Sequence, residues 1–590
     1  MYLEKINSPL DVKALDTKAL EGLSQEIREV LLKKLSVHGG HIGPNLGLVE
    51  LSIALHYVFD SPTDKMVFDV SHQSYVHKIL TGRKSAFMDE DKYDEVSGYT
   101  NPSESEHDFF TIGHTSTSVS LACGLAKARD LQGEKGNVIA IIGDGSLSGG
   151  EAFEGLNYIG EAGGNMIIIV NDNGMSIAEN HGGMYEKLKQ LRESKGTCVD
   201  NYFKGLNLDY CFVEDGHDIE GLISTFETIK DRTQPIVVHV CTTKGKGYKL
   251  AETDKEHWHW NMPFDLETGK PKFTMEEMGY DEFSAQYLLN AMKEDPKVVA
   301  ITSGTPAVFG FHKEQRIQAG KQFIDVGIAE EHAVALASGI AKGGGKPVYG
   351  VYSTFLQRTY DQLSHDLCIN KNPALVLVFA ASVYGMNDET HLGLFDIAMM
   401  GNIPNMVYLA PTCMEEYEAM LHWGLHQEQH PVAIRVPVGT LRYSGKKDES
   451  DYALLNTYQV TKRGSGVAIL ALGNFYSIGE NVVEQLDKEH GIKATLINPK
   501  YITGLDTNLL DELKKDHKLV ITLEDGILEG GFGEKIARYY GTDDMMVKTY
   551  GIKKSFPSRY DVNELLKEHG IQEESIVKDI KTLMKKKDNA

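Results

Sequence analysis

Val138-Ile139-Ala140-Ile141-Ile142-Gly143-Asp144-Gly145 is the stretch on which the fold turns. Consecutive apolar residues closed by a Gly-Asp-Gly turn fit a strand buried on both faces, as in parallel sheets covered by helices. A second such run, Met166-Ile167-Ile168-Ile169-Val170, closes in Asn171-Asp172-Asn173. Between them, Gly150 to about Gly160 is helix-like, so the whole segment is a strand-helix-strand unit. Both polar triplets then fall at carboxyl ends of strands, where open α/β sheets bind ligands. Asp144 offers a carboxylate and Asn173 an amide oxygen, the hard donors that Mg²⁺ shares with phosphate groups. Gly143 and Gly145 allow backbone to approach an anion closely. Either triplet alone is an ordinary turn. Paired on two strand ends, they read as a site for magnesium and a diphosphate.

Working outward, the chain of 590 residues is long enough for about three or four domains. Hydrophobic residues at 41% and charged residues at 24% are ordinary for a globular protein. A formal charge of −24 argues against a nucleic-acid binder, which needs a basic face to displace counterions, and leaves room for a locally basic pocket for an anionic substrate. The amino terminus has no signal-like apolar core and no apolar run has bilayer length, so a cytoplasmic chain without a membrane segment is expected. The six cysteines are scattered without metal-like pairs and read as reduced, mostly buried thiols.

Three α/β sections are expected, at 1–275, 276–447 and 448–590. The first opens with a helix near Thr17 to Val37. Its strands are Met66 to Val70, Val138 to Ile142, Met166 to Val170 and Ile236 to Val240. The polar stretch Leu250 to Phe273, with Trp258 and Trp260, reads as a linker or an active-site loop. In the second section a helix at Tyr280 to Met292 precedes strands at Val298 to Ile301, Gln322 to Asp325, Pro347 to Gly350 and Leu375 to Phe379. The third follows the charged Gly445 to Asp451 stretch, with strands at Gly466 to Leu472, Ala494 to Ile497 and Leu519 to Leu523. The fold class is α/β, with three successive domains of mainly parallel sheet.

Further motifs occur in a fixed order: Gly40-His41-Ile42-Gly43, Asp69 to Lys78, Ile112-Gly113-His114-Thr115-Ser116-Thr117-Ser118, Thr243-Lys244-Gly245-Lys246-Gly247-Tyr248, Ala329-Glu330-Glu331-His332-Ala333 and Tyr352 to Arg358. With these the chain resembles the thiamine-diphosphate enzymes of the transketolase group, and is most similar to the 1-deoxy-D-xylulose-5-phosphate synthase family. The resemblance implies a transketolase-like fold and a diphosphate- and Mg²⁺-binding first section. There the metal would be held by Asp144, Asn173 and the carbonyl of Met175. His72, Gly113, His114, Gly143, Gly145, Ser146 and Lys244 are the further cofactor-binding positions it implies. The second section would bind the aminopyrimidine ring, with Phe355 stacked on it and Glu330 bonded to its ring nitrogen to activate thiazolium C2. His41, His259, Arg358 and His391 are the other catalytic positions implied, the histidines suited by type to donating or shuttling protons near neutral pH. The third section would be structural and involved in dimerisation, so a homodimer is expected. Without the resemblance, each histidine would be an ordinary structural or surface residue, and Glu330 an ordinary helix carboxylate; the apolar flanks Phe323 to Gly327 and Ala333 to Ala337 favour its burial.

Three positions depart from the family pattern. Where that pattern places Asp-Arg-Ala-Gly after the strand Leu375 to Phe379, this chain has Phe379-Ala380-Ala381-Ser382. A second arginine, after Arg435-Val436-Pro437, is Val438, and an aspartate is Asn387 with Asp388 beside it. In the family the two arginines grip the phosphate of glyceraldehyde 3-phosphate, a task suited to the guanidinium fork. The connection from Asn180 to Val213 is also shorter than usual. The implied activity is a carboligase that decarboxylates pyruvate and joins the two-carbon unit to an aldehyde. Its rivals are a related enzyme with a different acceptor and a ketol transferase of transketolase type. A 2-oxoacid dehydrogenase component is disfavoured by the His41, Tyr352 to Arg358 and His391 segments.

Overall fold

The computed structural model describes residues 1–273 and 278–588. The boundary expected between 275 and 276 lies outside the described residues. The chain forms two compact units: Met1–Met275 with Val326–Ala329, and Glu276–Asp325 with Glu330–Ala590.

The first unit is built on a five-stranded, wholly parallel sheet. Its strands are β1 (Lys65–Phe68), β2 (Val138–Gly143), β3 (Ile167–Asp172), β4 (Asp209–Val213) and β5 (Ile236–Cys241), in the order β1-β2-β3-β5-β4. β2 and β3 are buried along nearly their whole length because helices cover both faces, which explains their unbroken apolar runs. β1 ends two residues before the expected Val70. There Val70 and Ser71 adopt left-handed backbone, while Asp69 turns inward to accept the amides of Ser116 and Ser118 at 2.9 and 3.0 Å. The stretch from 250 to 273 is no linker: Ala251, Trp258 and Phe264 are buried in the core of the helix Thr17–His38, and Gly40–His41 pairs antiparallel with Trp260–Asn261. Burial of those aromatic rings outweighs the polar composition.

The second unit holds two sheets. One is six-stranded and parallel: β6 (Val298–Thr302), β7 (Phe323–Asp325), β8 (Lys346–Tyr352), β9 (Leu375–Phe379), β10 (Val407–Leu409) and β11 (Val432–Arg435), ordered β10-β11-β9-β8-β6-β7. The other contains β12 (Gln459–Lys462), β13 (Gly466–Ala471), β14 (Thr495–Asn498), β15 (His517–Ile527) and β16 (Met546–Ile552), ordered β12-β14-β13-β15-β16. Only β12 in that sheet is antiparallel. The architecture is thus α/β with three mainly parallel sheets. Arg435 on β11 is buried between Asp396 and Asp525, the latter on β15, and so joins the two sheets of this unit. Among the described residues no helix is long and apolar enough to cross a membrane. Of the six cysteines, all free, Cys123, Cys368 and Cys413 are buried and the other three partly so, which leaves the burial expected of them only half met.

Candidate functional site

In the first unit, Gly143 lies in register with Asn171, so the Gly-Asp-Gly and Asn-Asp-Asn turns leave neighbouring strands side by side. The Asn173 amide donates to the Asp144 carboxylate, and a Cβ on Gly145 would fall 3.0 Å from Ser176 Cα. A side chain at 145 would therefore press on Ser176, just beyond the second turn, and force it to give way. Asp144 is buried, and that burial together with the charge of Asp172 pushes its carboxyl upward; Asn180 Nδ2 donates to its Oδ2 at 2.7 Å. Burial works on Asp172 in the same sense, but it is outweighed by His239 at 2.7 Å and Arg192 at 2.5 Å, which hold that carboxyl low.

This donor set fits a hard divalent cation. Asp144, the Asn173 amide oxygen and the Met175 carbonyl offer only oxygen, and a cation would relieve the repulsion between two buried carboxylates. Among the described residues no cluster of three His, Cys, Asp or Glu side chains could hold a metal, so a zinc-type centre is not the alternative. Ser146 is buried beside these turns, and its carbonyl accepts the Ser116 hydroxyl at 2.8 Å, which ties the Gly113-His114 loop to Gly143–Ser146.

Next to them three histidines converge. Ring centroids lie 4.8 Å apart for His41 and His72, 5.5 Å for His41 and His259, and 5.2 Å for His72 and His259. Asn45 assembles the first pair: its Nδ2 donates to the carbonyls of both His41 and His72 at 2.8 Å. Burial, with the charges of Lys244, His72 and His41, drives His259 well below the ordinary imidazole value, so it is neutral. Among the described residues its buried Nδ1 has no hydrogen-bond partner, which leaves that nitrogen able to meet a ligand. Lys244 is buried and donates to the Ser176 carbonyl at 2.7 Å; burial pushes it down to about 7, against the pull of Asp144.

In the second unit, Glu330 opens the helix Glu330–Lys342 and is buried. Burial raises its carboxyl, opposed by Arg358, whose guanidinium donates from 3.3 Å. Phe355 lies between Tyr352 and His391, with centroids at 5.8 and 5.6 Å. Thr390 Oγ1 contacts Asp388 at 2.6 Å and His391 Nδ1 at 2.7 Å. One hydroxyl hydrogen serves one acceptor; given to Asp388, it leaves Nδ1–H of His391 as donor and Nε2 as the lone-pair nitrogen. Burial lowers His391 to about 4. Ala380 has left-handed backbone at φ 52°, and Val438 donates its amide to Asn474. Asn45, Asn180, Tyr185 (whose hydroxyl lies 3.2 and 3.1 Å from the Asp144 and Gly145 carbonyls) and Thr390 were not legible in sequence: a single polar residue carries no local signal of the partner it meets only on folding.

Three family models match the chain in order: 1-deoxy-D-xylulose-5-phosphate synthase over residues 3–199 and 193–242, the transketolase pyrimidine-binding domain over 276–444, and the transketolase C-terminal domain over 456–576. Together with the α/β architecture, this succession defines a transketolase-type transferase. The 1-deoxy-D-xylulose-5-phosphate synthase of Alkaliphilus oremlandii is 38% identical, covering 98% of this chain and 99% of its own. That of Caldanaerobacter subterraneus is 40% identical, covering 97% and 98%. A solved transketolase from Campylobacter jejuni is 16% identical over 96% of this chain and 100% of its own, with a TM-score of 0.45. The chain belongs to the 1-deoxy-D-xylulose-5-phosphate synthase family. Members of this family use thiamine diphosphate with a divalent metal such as Mg²⁺.

Proposed function

We propose that this chain is a thiamine-diphosphate-dependent carboligase of the 1-deoxy-D-xylulose-5-phosphate synthase type, which decarboxylates pyruvate and joins the two-carbon unit to an aldehyde. The observation that carries the reading is the side-by-side exit of Asp144 and Asn173 from β2 and β3, a hard-cation donor set in a chain of this family. When bound, thiamine diphosphate supplies a nucleophilic carbon and an electron sink. Asp144, Asn173 and the Met175 carbonyl hold Mg²⁺. Gly143, Gly145, Ser146, Gly113, His114, His72 and Lys244 line the diphosphate end. Phe355 packs against the aminopyrimidine end, and Glu330 holds a proton at its ring nitrogen, a task favoured by the burial that raises its carboxyl. His259 and His391 are neutral donors or acceptors for substrate oxygens, His391 through Nε2, and His41 stands beside His259. Arg358 acts first on Glu330. A homodimer working in the cytoplasm is the setting that the family resemblance supports.

The test is Glu330→Ala. Cofactor binding by calorimetry should persist, while hydrogen–deuterium exchange at thiazolium C2 falls by about a thousandfold or more, about 4 kcal/mol of barrier. Near-normal exchange would mean that another group activates the cofactor.

A second reading concerns the acceptor. Ala380 and Val438 stand where the family places two phosphate-gripping arginines, and Asn387 where it places an aspartate. Arg435, close by in sequence, is committed to Asp396 and Asp525. These residues favour a neutral or differently charged aldehyde over glyceraldehyde 3-phosphate, with pyruvate decarboxylation retained.

A further inference from the structure

His217 occupies a place in the first unit that no motif explains. It follows β4 in the segment Val213-Glu214-Asp215-Gly216-His217 and reaches the Thr243–Lys246 turn. Gly216 makes the approach possible, since a Cβ there would lie 2.6 Å from Val240 Cγ1 and 2.7 Å from the Cys241 carbonyl. The Thr243 amide donates to His217 Nε2 at 2.8 Å, so that nitrogen carries no hydrogen. Nδ1 therefore carries it, and donates to Glu50 Oε2 at 2.9 Å. Glu50 is in turn held by both Arg28 terminal nitrogens at 2.5 and 2.6 Å, and Arg28 Nε donates to the Lys246 carbonyl at 3.1 Å. Burial would raise the Glu50 carboxyl, but the bonds from His217 and Arg28 hold it down at about 2, which keeps it an acceptor for Nδ1–H. The turn bearing Lys244 is thus gripped at residue 243 and at residue 246 by one buried chain of side chains.

We propose that His217 is a positioning residue: a hydrogen-bond acceptor of fixed tautomer that aims Lys244 at the cofactor's diphosphate. The proposal rests on the reading of Lys244 as a cofactor-binding group. Its content is which nitrogen matters. Glutamine at 217 places an acceptor near Nε2 and keeps the Thr243 bond. Asparagine places its polar group near Nδ1, keeps the Glu50 bond and loses the Thr243 one.

The experiment measures thiamine diphosphate affinity in the presence of Mg²⁺ for His217→Gln, His217→Asn and Lys244→Ala, with hydrogen exchange of the peptide containing the Thr243 amide. His217→Gln should bind within about threefold of the parent, and His217→Asn should bind about tenfold or more weakly, the scale of one lost hydrogen bond. Exchange at Thr243 should quicken only in the asparagine variant. Equal affinities and equal exchange in the two variants, or the reverse order, would overturn the proposal: a residue needed only for packing does not distinguish them, and one needed only for its Glu50 bond favours asparagine over glutamine. If His217→Asn does not fold, loss of cofactor affinity in His217→Gln overturns it equally. Normal binding by Lys244→Ala would instead strike at the reading of Lys244, while the exchange result still decides whether His217 holds the turn.

Discussion

The Arg358 guanidinium lies 3.3 Å from the Glu330 carboxylate, so the buried carboxyl at the head of its helix meets a cation that opposes the effect of burial. The first prediction follows from the sign of that opposition. Burial raises the Glu330 carboxyl in the folded chain, so its ionisation costs stability as pH rises through the folded value. Arg358→Met removes the opposing charge and raises that value further. The variant should lose about 1.5–3 kcal/mol at pH 8 and distinctly less at pH 5, the scale of a bond to a charged group. Thermal unfolding at the two pH values checks it; equal losses would mean that Arg358 contributes packing only.

Asp144→Asn should have opposite effects on the empty and the loaded protein. Burial and Asp172 raise the Asp144 carboxyl, so the apo chain is penalised as pH rises through that value, and the amide removes the penalty. The apo melting temperature should rise, more at pH 8 than at pH 6. Stabilisation by Mg²⁺ with thiamine diphosphate, about 2.7 kcal/mol at a hundredfold excess over Kd, should vanish. A ligand-induced shift equal to the parent's would remove Asp144 from the metal site.

Acceptor choice is read from kcat/KM for glyceraldehyde 3-phosphate against unphosphorylated glyceraldehyde. Each charge-assisted bond contributes about 1.5–3 kcal/mol, so the absence of two guanidinium groups at Ala380 and Val438 should weaken phosphate recognition by about two to four powers of ten. Poor use of the phosphorylated aldehyde is the expected outcome. A preference for it of about a thousandfold, about 4 kcal/mol, would reveal a phosphate site elsewhere and leave the ordinary family substrate standing.

Lys500 offers a stability test remote from the chemistry. Its buried ammonium lies 2.9 Å from Asp448 and 3.3 Å from Glu416. Burial alone would raise Asp448, but Tyr452 and Lys500 hold it low, so its contribution is present near neutrality and is lost as pH falls below the carboxylate range. Lys500→Met should cost about 3–5 kcal/mol at pH 7, shrinking in acid as the stranded carboxylates take up protons. Denaturant unfolding across pH would show it, and a constant loss would point to packing instead.

What was legible in the sequence follows from burial. β2, β3, β5 and β9 carry long apolar runs because both their faces are covered, and their composition says so. β4, β10, β11, β12 and β16 are not among the expected strands: β4, β12 and β16 are edge strands that carry polar residues, β12 reading Gln459-Val460-Thr461-Lys462, while β10 and β11, though buried, are only three and four residues long. The motifs marked the Asp144 and Glu330 neighbourhoods, since close backbone approach demands glycine and a cofactor demands particular side chains. The parts that aim those side chains left no trace. Asn45 carries two carbonyl bonds across the chain, His217 is fixed by a tautomer, and Thr390 orients His391; each is a lone polar residue whose partner is known only after folding.

The junction of Arg435 with Asp396 and Asp525 sets a limit on modularity. A five-stranded sheet at the end of a chain looks like a cassette to be exchanged between relatives or expressed alone. Here, lifting it away would leave Arg435 with Asp396 alone and would part the buried Asp525 carboxylate from the guanidinium that neutralises it. Chimaeras that splice between β11 and β15 should therefore be insoluble unless positions 396, 435 and 525 are inherited together, so that these three residues are the unit of recombination in this part of the chain.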